Sequence, residues 1–161
     1  MIYCNDYIKL TKNYLRNMGY YQVAVANMTD DIQDMAEDLK EISAKIANYE
    51  QNAGGGSGEL NAVESAAARR VEQADAYKQQ VYELQKLQRQ VRKLERCIDS
   101  LPKDEKEAVR LYYIHKLSYD DMVDSLHVSH STCKRRIKSG TRAVAIMLFG
   151  DKAGNRIQFA S

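Results

Sequence analysis

Tryptophan is absent from the 161 residues, phenylalanine occurs twice, and the only proline is Pro102. Four of the eight glycines are gathered at Gly54, Gly55, Gly56 and Gly58. Little therefore interrupts a helix elsewhere, and the long stretches rich in Ala, Leu, Lys, Glu and Gln predict an all-α protein. Only three cysteines are present, Cys4, Cys97 and Cys133, odd in number and with no CxxC pair. That pattern excludes a disulfide framework and predicts free thiols in a reducing cytoplasm. No uninterrupted apolar run approaches the roughly 20 residues that cross a bilayer. The opening "MIYCNDYIKLTKNYL" is broken by charge every few residues, unlike the apolar centre of a signal peptide. A soluble protein with no membrane partner is expected.

Acidic residues are missing from Val128 to Phe149, although the formal charge of the whole chain is only +2. Within that span "SHSTCKRRIKSG" carries Lys134, Arg135, Arg136 and Lys138, and Arg142 follows. Elsewhere the balance shifts: Asn27 to Glu50 has seven acids and two lysines, whereas Lys86 to Arg96 has five cations and one acid. Such asymmetry speaks to partners more than the total does.

Apolar residues recur at Met28, Ile32, Met35, Leu39, Ile42, Ile46 and Tyr49, alternating steps of four and three, a heptad seam for helix–helix packing. A second series runs Val63, Ala67, Val71, Ala74, Tyr77, Val81, Leu84, Leu87, Val91, Leu94 and Ile98, with stutters. Between them the glycine-rich stretch cannot sustain a helix. It also lacks the Lys-Ser/Thr of a phosphate-binding loop, so it reads as a turn. The expected organisation is an N-terminal helical segment over 1–19, ended by Gly19, and a long coiled-coil-like helical hairpin over 20–99, turning at 54–58. A domain of shorter helices over 100–149 and a loose tail over 150–161 follow. In the hairpin Asp30 to Glu41 would lie near Arg69, Arg70 and Lys78. The acids of that run, with no histidine among them, read as a solvated face, and the Tyr-rich flank Tyr14, Tyr20 and Tyr21 reads as packing.

Beyond Ile98 the signals are punctuation marks of short helices. Pro102 suits a first helical turn, where Asp104 and Glu105 favour the positive end. Val109, Leu111, Tyr112 and Ile114 supply an apolar stripe. Ser118 caps a helix over Tyr119 to Leu126, with Asp121 as its capping-box acid and Met122, Val123 and Leu126 inward. His127-Val128-Ser129 is a turn, Ser129 caps the next helix, and Cys133, Ile137, Val144 and Leu148 face the core. A short helix, a three-residue turn and a capped basic helix make a helix-turn-helix. With Cys133 and Ile137 inward, the cations fall along a face sized for a DNA major groove. His127, His130 and Cys133 are too few for a structural zinc site, which takes four ligands. No metal, cofactor or catalytic residue is expected, and no enzyme.

The run "LPKDEKEAVRLYYIHKLSYDDMVDSLHVSHSTCKRRIKSG" resembles region 4 of bacterial sigma factors. The likeness is carried by Leu101-Pro102, Leu111, Tyr113-Ile114, Leu117-Ser118-Tyr119, Leu126, Val128-Ser129, Ser131-Thr132, Lys134 and Arg136. It departs at His127, where the motif has glycine, and at Val123, where it has alanine. With a hairpin upstream, the arrangement is similar to small phage late-transcription regulators of the RinA/ArpU type. That resemblance implies a phage or prophage protein in a bacterial host's cytoplasm, associated with the nucleoid, and binding double-stranded DNA near late or packaging genes. RNA polymerase would be a further partner. Ser131, Thr132, Lys134 and Arg135, beside His130, are the expected groove contacts, and Ser129, Arg136, Lys138 and Arg142 the phosphate contacts. Lys86, Arg89, Arg92, Lys93 and Arg96 read as a solvated face. A homodimer is expected, with half-sites one helical turn or a multiple apart. A small terminase subunit that recognises DNA for packaging, or a coiled-coil docking module with an incidental basic helix, are the alternatives.

Overall fold

The computed structural model describes residues 4–52 and 57–154, and among them every regular element is helical. Two long helices, α1 (Cys4–Asn52) and α2 (Ser57–Asp99), form the hairpin. Three shorter ones follow: α3 (Lys103–Val109), α4 (Tyr119–Leu126) and α5 (His130–Phe149). A π-type turn, Arg110–Ile114, extends α3, and a 3₁₀ turn, Gly150–Lys152, follows α5. The fold is all-α, a long helical hairpin followed by a helix-turn-helix. The turn expected at 54–58 falls outside the described residues except where α2 opens at Ser57.

The break expected at Gly19 does not occur, because α1 runs straight through it. A glycine in a helix interior costs only about 1 kcal/mol. Leu15 and Met18, on the turn before it, are buried, and each such side chain contributes about 1.5–3 kcal/mol. Packing therefore overrides the local preference.

The chain divides into two compact units. One combines the described parts of Met1–Gln22 and Arg89–Ser161, so the opening turns of α1 belong with the helix-turn-helix. Its core joins Leu15 and Met18 of α1 with Leu94, Cys97 and Ile98 of α2, Val109 of α3, Met122 of α4, and Cys133, Ile137 and Val144 of α5. Polar ties fix the ends of the elements. Gln22 donates to Glu95 at 3.0 Å, and Lys93 donates to the Leu148 carbonyl at 3.1 Å. Arg110 reaches Asp99 at 2.8 Å. Burial of the Cys97 thiol pushes its pKa up, which keeps it protonated and apolar in character. The tail is folded at its start: Ala153 is fully buried and its N–H donates to the Gly150 carbonyl at 3.0 Å, closing the 3₁₀ turn, while 155–161 lie outside the described residues.

The other unit is the hairpin portion Val23–Gln88. On α1 the expected seam is the shielded one, from Met28 to a buried Ile46, but Tyr49 is half exposed. On α2 the shielded positions include Val63, Ala66, Gln73, Ala74, Tyr77, Val81, Leu84 and Leu87. The expected Ala67 and Val71 are exposed, Val71 by 63%. A helix of 3.6 residues per turn cannot keep both sets on one face across a stutter. The face that includes Ala66 and Gln73 prevails, leaving the Gln73 side-chain oxygen buried with no hydrogen-bond partner. Asp30, Asp31, Asp34, Glu37, Asp38 and Glu41 are all exposed. Two ion pairs here lie within a helix rather than across the hairpin, Lys45 with Glu41 at 2.8 Å and Lys78 with Asp75 at 3.6 Å.

Candidate nucleic-acid interface

Local chemistry sets each boundary of the helix-turn-helix. α3 and its π-type turn end at Lys116, whose φ of 59° is left-handed. The Leu117 N–H then donates to the Leu111 carbonyl at 3.0 Å, satisfying a group the helix end leaves orphaned. A lysine is strained there, but its ammonium donates to the Arg16 carbonyl of α1 at 2.6 Å.

Ser118 and Asp121 form a reciprocal capping box at the start of α4. α4 ends at His127, which adopts φ 52° and ψ 42° in the position the motif usually gives to glycine. Val128 is half-buried in the turn, and Ser129 caps α5 by accepting from the Thr132 N–H at 3.3 Å.

α5 meets α3 closely. A Cβ placed on Gly140 would lie 2.7 Å from Val109 Cγ2, so only glycine permits the approach. Cys133 and Val144 are fully buried and Ile137 nearly so. Thr141, also buried, hydrogen-bonds the Ile137 carbonyl at 2.7 Å and the Tyr113 hydroxyl at 3.2 Å. Burial raises the Tyr113 pKa, so the phenol stays neutral inside the domain.

With one side of α5 committed to the core, Ser131, Arg135, Lys138 and Arg142 follow at steps of four, three and four along an exposed stripe. Lys134 is exposed on the flank of that stripe, its ammonium 5.4 Å from the centre of the Tyr119 ring. Thr132 is half-buried, its hydroxyl 3.0 Å from Ser129 Oγ, which also sits 3.0 Å from Ser131 Oγ. Ser129 is thereby engaged as a cap. His130 Nε2 lies 2.7 Å from Asp120 Oδ1, and its ring packs 5.7 Å from Tyr119. Cys133 is sealed in the core, so it and His130 serve different environments.

Arg136 departs from the group. Its guanidinium is bound to Asp104 at the start of α3, and only 22% of its side chain is exposed. Ser139 completes the same seam by donating to Glu105 at 2.7 Å. Sequence reasoning also missed the ring column Tyr113, Tyr112 and Tyr119, with centroids 4.8 and 5.3 Å apart in succession. Of the three only Tyr112 belongs to the expected apolar stripe, and only the packing of α4 brings Tyr119 over it.

Residues 83–143 match the family model for sigma-70, region 4. This segment carries a sigma region 4-like, DNA-binding helix-turn-helix. The match spans less than half the chain. It starts within α2 and takes in the basic run Lys86 to Arg96. Neither the curated proteins nor the solved structures yield a match. Among the described residues no helix is long and apolar enough to cross a membrane.

Proposed function

We propose that the protein is a sequence-reading transcriptional regulator of phage or prophage origin that acts with the host RNA polymerase. Residues 100–149 serve as its DNA-binding domain. The observation that carries this reading is the exposed stripe Ser131, Arg135, Lys138 and Arg142 on a helix with no acid. A hydroxyl and long cations at that spacing suit base edges and the adjoining phosphates, and the cations release counterions on contact. Thr132, Lys134 and His130 border the same contact, while Ser129 sets the helix end against a phosphate. Arg136 acts from behind, bracing α5 on α3. The hairpin pairs two copies, which gives a two-part site with half-sites about one helical turn or a multiple apart.

The test is a titration of the full chain with duplexes from its own gene neighbourhood and scrambled controls, at low and near-physiological salt. Preference that persists at the higher salt, and disappears in Arg135→Glu, is the expected result. Equal binding to all duplexes, abolished by salt, would leave only unspecific electrostatics. Mass in solution separates the two DNA-binding roles, since a ring of many subunits would argue for packaging rather than transcription.

A further inference from the structure

The first helix brings cations to the edge of α5. Thr11 and Leu15 of α1 are buried, and this places Lys12 and Arg16, one turn apart, on an exposed edge. Together with Lys134, Lys138 and Arg142 they line an open groove of about 490 Å³, which Tyr112 and Tyr119 also border. No acidic side chain lines this groove among the described residues. Among the described residues none of the five cations pairs with a carboxylate. Like charges gathered this closely repel one another unless an anion sits among them. The arrangement is held firmly. Lys116 grips the Arg16 carbonyl, and Tyr7 and Tyr14 pack on Phe149 at the far end of α5, with ring centroids 5.1 and 6.5 Å away.

From this convergence we infer that Lys12 and Arg16 bind the phosphate backbone of duplex DNA beside the bases that α5 reads. The first helix thereby becomes part of the DNA interface. The inference rests on the reading of α5 as the base-reading helix and extends its footprint to a segment outside the sigma-like match. The groove supplies charge without base-edge geometry, so its contribution is affinity and register, equal for every sequence.

The experiment compares the full-length chain with Lys12→Gln/Arg16→Gln and with the charge-keeping Lys12→Arg/Arg16→Lys. Each is titrated with a preferred and a scrambled duplex across a series of salt concentrations. Because each phosphate contact contributes about 0.9 to the slope of log affinity against log salt, the Gln pair should flatten that slope by about 2. Affinity should fall by the same factor on both duplexes, so that their ratio holds. The charge-keeping pair should restore the slope. Melting temperatures should be alike, since both side chains are exposed. A Gln pair with the wild-type slope and affinity would overturn the inference while leaving the α5 reading intact. So would a lost duplex ratio at an unchanged slope. A wild-type chain that prefers no duplex would remove the α5 reading and this inference with it.

Discussion

The hairpin portion and the helix-turn-helix unit are made of the same element, yet they are specified in different ways. In the helix-turn-helix unit Met122, Val109, Cys133 and Val144 have no exposed surface, and Ser118 and Ser129 cap the starts of α4 and α5. In Val23–Gln88 the seam residues are mostly half-buried, and Val23 and Val71 stay more than half exposed. Two helices alone cover only one side of each seam. The first region is defined by particular contacts, the second by a period that tolerates a shift of register. Base reading needs fixed geometry, and that need matches the region where geometry is fixed.

The sharpest way to break this contrast is a pair of methionine truncations. Met122→Ala should cost about 3 kcal/mol, within the range for emptying a packed core site. Met35→Ala, half-buried on the hairpin seam, should cost about 1 kcal/mol, since far less area is lost. Urea unfolding followed by circular dichroism would compare them, and equal losses would show the two regions to be packed alike. A slightly smaller effect is expected at the α3–α5 contact. Gly140→Val should destabilise by about 2 kcal/mol, because the added methyls meet a buried Val109 that has nowhere to move. A neutral result would mean the helices can part at no cost.

The sign reverses at the turn. His127→Gly should stabilise the domain by about 1 kcal/mol, since a left-handed non-glycine residue carries strain of that order. A loss there would reveal a contact of the imidazole that outweighs the strain. Least of all should come from Val71→Gln, expected within about 0.5 kcal/mol for an exposed position. A cost well above 1 kcal/mol, with a fall in mass on sedimentation, would place Val71 between two copies of the chain.

Much of the helix-turn-helix is legible in the sequence because its boundaries are chemical. Ser118 with Asp121, and Ser129, each announce a local geometry that short-range hydrogen bonds enforce. Gly19 misleads for the opposite reason: a glycine penalty of about 1 kcal/mol is small beside the burial of Leu15 and Met18. Ala67 and Val71 mislead because a stuttered apolar series fits more than one helical face, and only the packed partner chooses between them. Arg136 looks like its neighbours in a basic run. Its pairing with Asp104 depends on α3 and α5 crossing at Gly140, a contact more than thirty residues distant in sequence. The contribution of Lys12 and Arg16 is hidden in the same way, since their place beside α5 comes from tertiary packing alone.

The claim that α5 reads base sequence is tested most directly by selecting binders from a random duplex library, first with the wild-type chain and then with Arg135→Ala. The account predicts one enriched motif with the wild-type protein, and lost or altered preference at one position of that motif with the variant, at a cost of about 1–3 kcal/mol there. An unenriched pool, or a motif that Arg135→Ala leaves untouched at every position, would contradict it.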